Sequence, residues 1–501
     1  MPDCCFDWGG VVSRVPRDKV DGGAVRGPSM SRMKPLVIRS ALVASIGGLI
    51  FGFDTAVISG TTEQLKAYFH LDDAYLGWTV GVALLGTILG ALTAGKPADR
   101  YGRKPVLFVI GVLYLAGALG SAFATDIIVL EVFRFLGGIG VGAASVCAPI
   151  YTAEIAPAKV RGRLVGLVQF NIVLGILLAY LSNAIVRSAV NDPVTDWRWM
   201  FGVMAVPSVI FLLMLFTVPE TPRWLMANGQ EEAGRQIIGT LTTSKEEADF
   251  QIQEIDASLA AAENAPKVPF FTKGHFKVIM LAFMIAMFNQ MSGINAILYY
   301  APVVMMQAGA SADAAFQMSI AVGFMNLVAT MTALTVIDKI GRKKLMIIGS
   351  IGYVVSLGFL SGLMFYYENA LAGAFDGTSS MLVLVGLLVF IAAHAFGQGS
   401  VIWVFISEIF PNRIRGRGQS FGSLTHWVFA WLTSATFPGV IAGLGGGVAF
   451  AVFAVFMLGQ LAWVLKVMPE TKGVPLEEME AKLGLIHDPN DSGDPLAAKG
   501  H

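Results

Sequence analysis

The chain has 501 residues, of which 55% are hydrophobic and only 14% charged, with a formal net charge of +0 and a mean hydropathy of +0.66. That balance excludes a soluble globular protein of this size and, with no basic excess to neutralise phosphates, a nucleic-acid-binding one. Of the three cysteines, Cys4 and Cys5 are adjacent in a polar stretch and Cys147 sits in an apolar run; neither a disulfide framework nor a metal-ligand spacing results, so no metal or cofactor is expected.

Residues 1–36 are polar, interrupted by Gly and Pro, and lack the apolar core of a signal peptide. They read as a disordered cytoplasmic tail, with the first span serving as its own insertion signal. Apolar runs long enough to cross a hydrocarbon layer of about 30 Å then recur twelve times. They fall at 37–60, 74–95, 104–124, 127–150, 164–186, 199–218, 276–306, 314–337, 343–366, 381–405, 418–441 and 445–468. Lys and Arg cluster after spans 2, 4, 8 and 10, which predicts that these loops, both termini and the 219–275 connection are cytoplasmic. The expected fold is an all-α integral membrane protein. It has an N-terminal six-helix bundle (37–218), a cytoplasmic helical linker (219–275), a C-terminal six-helix bundle (276–468) and a cytoplasmic tail (469–501). In the linker, Ser244 and Glu247 form a capping-box pattern that predicts a helix to about residue 262. In the tail, Pro475 opens a short amphipathic helix over 476–483.

The first span, GGLIFGFDTAVISG over 47–60, carries one carboxylate, Asp54. An acid near mid-span costs about 2.5–3.5 kcal/mol, so it requires a partner and marks a functional position. Depth suggests Arg134. Asp54 lies roughly 9 Å before the outer end of an outward-running span, and Arg134 roughly 10 Å after the outer start of an inward-running one. Glu131, three residues before Arg134, is a competitor by helical spacing. A carboxylate beside a cation keeps its charge and a buried one tends to surrender it, so a movement that makes or breaks the pair can load and unload a proton.

The two halves repeat each other. EIAPAKVRGR from Glu154 matches EIFPNRIRGR from Glu408, DRYGRK from Asp99 matches DKIGRK from Asp338, and PETPRW from Pro219 matches PETKGV from Pro469, each at a separation of about 250 positions. An even number of spans per half relates the halves by an axis along the membrane normal, the arrangement of a carrier with a site between its halves. With RFLGGIGVG from Arg134 and NQMSGINAILYYAP from Asn289 added, the chain over about 37–480 resembles a sugar porter of the major facilitator superfamily, the family of glucose facilitators and bacterial sugar–proton symporters.

That resemblance implies proton-coupled uptake of a monosaccharide by alternating access, carried out by a monomer in a plasma membrane, most simply a bacterial inner membrane. Aligning spans 1 and 7 sets Asp54 against Asn295, an amide that cannot exchange a proton. The acid in span 1 is characteristic of the family's symporters, so Asp54 with Arg134 is expected to couple the proton. The expected sugar site comprises Phe51, Gln169, Asn289, Gln290, Asn295, Asn326, Trp403 and Trp427, amides for the hydroxyls and aromatic walls for the ring. Three departures from the family stand out: Asn289 in place of Gln, His426 before Trp427, and Gln398-Gly399-Ser400 without the usual Gly-Pro. Ile176, apolar where xylose carriers have Gln, leans toward a hexose. A cytoplasmic gate is expected from Asp99, Arg100 and Arg103 near Glu154 and Arg161, and from Asp338, Arg342 and Lys343 near Glu408 and Arg415. A facilitative uniporter is the alternative within transport, and a membrane sugar sensor is the alternative outside it. An enzyme is not expected, since no nucleophile–base pair or metal-ligand cluster faces the cavity. GGIGVG over 137–142 imitates a dinucleotide loop, but lies inside a span and reads as close helix packing.

Overall fold

The computed structural model describes residues 33–474, apart from 158–159, 191, 193, 264–267, 372 and 412, and beyond them Met479 and Leu483. The expectations for residues 1–32, for Lys159 and for most of the 476–483 helix lie outside the described residues. Among the described residues the chain is helical throughout, and eleven helical segments are long and apolar enough to cross a membrane.

In chain order these are α1 (Pro35–Val57), α2 (Asp73–Thr93), α3 (Arg103–Ala122), α4 (Ile127–Ile155), α5 (Arg161–Val190) and α6 (Asp196–Val203 continued by Ala205–Leu215). The second half has α7 (Phe276–Met291 and Ile294–Gln307), α8 (Ala312–Ile340), α9 (Arg342–Phe365) and α10 (Gly377–His394, continued through a π turn by Ser400–Ile409). The last segment, Arg415–Lys466, has 52 residues, about 78 Å if straight. It folds back at Gly445, φ +86°, where the Glu368 carboxylate accepts the Gly446 N–H at 2.7 Å, and so provides α11 (415–444) and α12 (446–466). Twelve crossings result.

Polar side chains start several of these helices on the face opposite the linker. Asp72 accepts from Tyr75 N, Asp126 from Ile128 N, Ser311 from Ala314 N, and Asp376 forms a capping box with Ser379. Small residues then let the helices close up. A Cβ on Gly138 would lie 2.0 Å from the Ala83 carbonyl oxygen, and one on Gly142 2.0 Å from that of Thr87, so α4 crosses α2 backbone to backbone. The linker contains helices Pro222–Ala227, Glu231–Leu241 and Lys245–Glu263; the last is capped by Ser244 and Glu247 as the sequence suggests.

The span expected at 276–306 is not one helix. Gly293, φ +84°, interrupts it at depth, and a Cβ there would meet the Phe453 ring at 2.4 Å. Left-handed backbone is open to glycine without penalty, and the peptide groups at the break are satisfied locally, Gly293 N–H donating to the Gln290 carbonyl and Ile294 N–H to the Ser292 hydroxyl.

The halves meet on the face opposite the linker. A Cβ on Gly77 of α2 would stand 1.9 Å from the Ala435 carbonyl oxygen of α11, and Gly81 faces Trp431 and Ala435. Gly323 of α8 faces Leu177 and Tyr180 of α5, and the Tyr180 hydroxyl donates to the Leu298 carbonyl at 2.6 Å. Arg187 reaches Asp313 at 3.6 Å, the one ion pair among the described residues that joins the two halves. On the linker face, every described ion pair stays within one half, stays within the linker or ties a half to the linker. The molecule is therefore closed away from the linker.

Candidate functional site

Asp54 and Arg134 are buried, 5% and 4% exposed, and Arg134 Nη1 donates to Asp54 Oδ1 at 2.5 Å. The glycines around Asp54 bring this about. A Cβ on Gly52 would lie 1.8 Å from the Ile172 carbonyl oxygen and one on Gly175 2.1 Å from that of Leu49, so α1 lies directly against α5. Arg134 also stacks over the Phe201 ring at 5.2 Å, a cation–π contact that helps hold a desolvated guanidinium. The competitor Glu131 is occupied elsewhere, accepting from the Thr79 hydroxyl at 3.0 Å. Tyr299, on the outer piece of α7, lies within electrostatic range of both members of the pair.

Of the eight residues expected to bind sugar, the structure joins five. Phe51 of α1 meets Trp427 of α11 across the halves, ring centres 5.9 Å apart. His426 packs edge-on against Trp427 at 4.9 Å and lies 5.1 Å from Trp403, while its Nε2 is 3.1 Å from Gln290 Nε2. Gln290 Nε2 also donates to Asn289 Oδ1 at 2.9 Å, and Gln290 Oε1 is buried without a partner. Gln169, half-buried on α5, and Asn295, two residues past the break in α7, make no side-chain hydrogen bond among the described residues. Asn326 of α8 accepts from the Thr330 hydroxyl at 3.4 Å. Donors and acceptors left unmade between the halves of a membrane protein are positions for a polyhydroxylated ligand. His394 is bound to the Tyr353 hydroxyl at 2.6 Å and so belongs to a helix–helix contact.

At the linker face the two repeats build the same knot twice. Arg103 donates through Nε and Nη2 to Glu154, both at 3.0 Å, and pairs with Asp99 at 3.1 Å. Arg342 donates to Glu408 at 3.1 and 2.7 Å and pairs with Asp338 at 3.0 Å. Four other cations expected in these clusters reach elsewhere. Arg100 lies over the Tyr101 ring, Arg161 faces Glu254 of the linker at 3.8 Å, Lys343 Nζ donates to Leu465 O, and Arg415 donates to Phe410 O. Arg100 and Arg415 stay at their own helix ends, Arg161 turns toward the linker and Lys343 toward the end of α12, because the knots already fill the carboxylates.

Sequence reasoning missed the third layer of these knots, although the repeated PET motif signalled it. Thr221 and Thr471 donate their hydroxyls to Glu154 and Glu408 at 2.7 and 2.6 Å. Glu220 accepts Lys104 N and Thr221 N, and Glu470 accepts Arg342 N and Lys343 N. These carboxylates sit at the N-termini of α3 and α9, beside Gly102 and Gly341, where the helix dipole and free N–H groups favour negative charge. Burial still raises the Glu220 carboxyl above its ordinary range, with the backbone N–H donors opposing.

A family model described as sugar (and other) transporter matches residues 40–483. The D-xylose–proton symporter of Escherichia coli K12 is 36% identical over 481 residues, covering 88% of this chain and 94% of that protein. A glucose transport protein of Synechocystis is 34% identical over 449 residues, covering 87% and 95%. The xylose transporter of E. coli, solved in a partially occluded inward-open conformation, superposes with a TM-score of 0.77 at 34% identity, covering 88% of this chain and 99% of that one. A match that spans both bundles and the linker, on a chain with a parallel repeat and twelve crossings, makes this protein a member of the sugar transporter family within the major facilitator superfamily.

Proposed function

We propose that the protein carries a monosaccharide and a proton together into the cell by alternating access, with the linker face and both termini cytoplasmic. The observation that carries this reading is the buried Asp54–Arg134 pair, on the outer side of an amide- and aromatic-lined site shared by both halves. Protonation of Asp54 removes the charge that holds Arg134. The ion pair is made in the form that is closed away from the linker, so in this reading the proton has already left for the cytoplasm. Outside, Asp54 takes up its proton and bound sugar favours closure; inside, re-formation of the pair accompanies release. The xylose and arabinose relatives of this chain bear the name of proton symporters.

In the sugar site, Gln169, Asn289, Gln290, Asn295 and Asn326 meet hydroxyls while Phe51, Trp403 and Trp427 wall the ring. Ile176 is buried and apolar on α5, which we read as favouring a hexose over a pentose. The knots around Glu154 and Glu408 brace each half in the present form and supply the charges that close the cytoplasmic side in the other. The test is uptake of labelled glucose, galactose, xylose and arabinose by a transport-null bacterial strain, with and without protonophore. Symport predicts uphill accumulation, abolished by the protonophore, and sugar-evoked alkalinisation of the medium. Equilibration without either would leave a uniporter.

A further inference from the structure

The second half contains a line of buried polar side chains that continues from the sugar-site amides Gln290 and Asn289 into the helix core. Ser350 on α9 donates its single hydroxyl hydrogen to the Met346 carbonyl at 2.7 Å. Its oxygen can then only accept, and it accepts from Gln460 Nε2 of α12 at 2.8 Å. That turns Gln460 Oε1 toward Gln398, whose Nε2 donates to it at 2.8 Å from the π turn of α10. Gln398 Oε1 in turn faces Asn289 Nδ2 at 3.4 Å, and Asn289 Oδ1 accepts from Gln290 Nε2 at 2.9 Å. Ser350, Gln398 and Gln460 are 0% exposed, Asn289 2% and Gln290 1%.

Every bond in this line runs in one sense, and the sense is imposed by a backbone carbonyl that cannot donate. A primary amide is an acceptor at one end and a donor at the other, so reversing any member would set oxygen against oxygen or N–H against N–H in a water-free core. His426 cannot set the direction, since its ring nitrogen donates or accepts according to tautomer. It follows Gln290. With both hydrogens of Gln290 Nε2 engaged, by Asn289 and His426, its Oε1 is left buried and unpartnered.

We infer that Gln398, Gln460 and Ser350 are positioning residues that lock the Gln290 amide so that it presents an acceptor, and only an acceptor, to one hydroxyl of the sugar. The departures at Asn289 and Gln398 make one device: the shorter Asn289 leaves the space that the longer Gln398 fills. The π turn, which inserts an extra residue into a helix, is what allows Gln398 to point inward there. This inference rests on the reading of the site as a sugar site.

The test uses the full chain, purified, with binding followed by tryptophan fluorescence for glucose and xylose and for their monodeoxy and monodeoxyfluoro derivatives. Fluorine can accept weakly but cannot donate. At the hydroxyl that faces Gln290, both deoxy and deoxyfluoro sugars are expected to bind roughly ten- to hundredfold more weakly than the parent. In Gln460→Leu the amide of Gln290 is free to turn. The deoxyfluoro sugar should then recover relative to the deoxy sugar at that position alone, the parent KM should rise, and the maximal transport rate should hold. Ser350→Ala, a smaller change, should shift the same position in the same direction and serves if Gln460→Leu does not fold. A variant with the wild-type profile at every hydroxyl overturns the inference. Failure of the wild-type protein to bind any parent sugar overturns instead the reading of the site.

Discussion

On the proposed coupling role of Asp54, replacing it with Asn should separate proton coupling from sugar passage. The amide keeps an oxygen for Arg134 Nη1 but not the charge, and Arg134, 4% exposed, is left with an uncompensated guanidinium. Removing one partner of a buried ion pair costs about 3–5 kcal/mol, and here the cost falls on the form in which the pair is made. The variant should therefore populate the form open away from the linker. The coupling loss is independent of that shift. One proton per sugar at 100 mV supplies about 2.3 kcal/mol, which sustains an accumulation of roughly fiftyfold. Asn cannot carry the proton, so in proteoliposomes with an imposed potential accumulation should vanish while exchange of labelled for unlabelled sugar persists. The double variant with Arg134→Gln should recover thermal stability without recovering accumulation. Asp54→Asn vesicles that still fill against the gradient would refute the reasoning.

A Cβ at Gly77 would lie 1.9 Å from the Ala435 carbonyl oxygen, so Gly77→Val should wedge α2 from α11 and cut transport at least about tenfold. A cysteine at Met306, half-buried in the outer pocket that Gly60 and Arg187 also line, should then react faster with an impermeant maleimide. Thr221→Val and Thr471→Val each remove a hydrogen bond to a charged carboxylate, and each should cost about 1.5–3 kcal/mol in thermal unfolding, with similar values because the knots repeat. Arg187 divides its charge unequally. Asp313 is 81% exposed, so Asp313→Asn should change stability by less than about 1 kcal/mol. Asp196 is 1% exposed and also faces Gln64, so Asp196→Asn should cost more, read from the same melting curves.

Long apolar runs and a basic-loop pattern were enough to read the helices from the sequence, because hydrocarbon thickness admits few alternatives. Asp54 and Arg134 were legible for a related reason: charges at equal depth in a bilayer have few partners. The break at Gly293 was not, since a Ser-Gly step leaves an apolar run apolar, and hydropathy is blind to the sign of φ. The polar line from Ser350 to Gln290 was hidden as well; Asn289 and Gln398 stood out singly, but nothing in the sequence joined them to Gln460 and Ser350 on other helices. The repeat showed which positions of the linker-face loops correspond, but not where long side chains point. For that reason Arg100, Arg161, Lys343 and Arg415 were grouped with carboxylates that Arg103 and Arg342 already occupy.

The interruption at Gly293 has a mechanical meaning for the ligand. Gln290 lies before it, moored through buried amides to α9, α10 and α12, while Asn295 and Tyr299 belong to the short piece after it, which packs against α1, the helix of Asp54. On the proposed site, a molecule that grips both sides would bridge the moored piece and the outer piece, and any shift of the outer piece would be transmitted toward the acid. Cargo and proton would then be linked without touching, across one glycine whose left-handed backbone a single methyl group would strain.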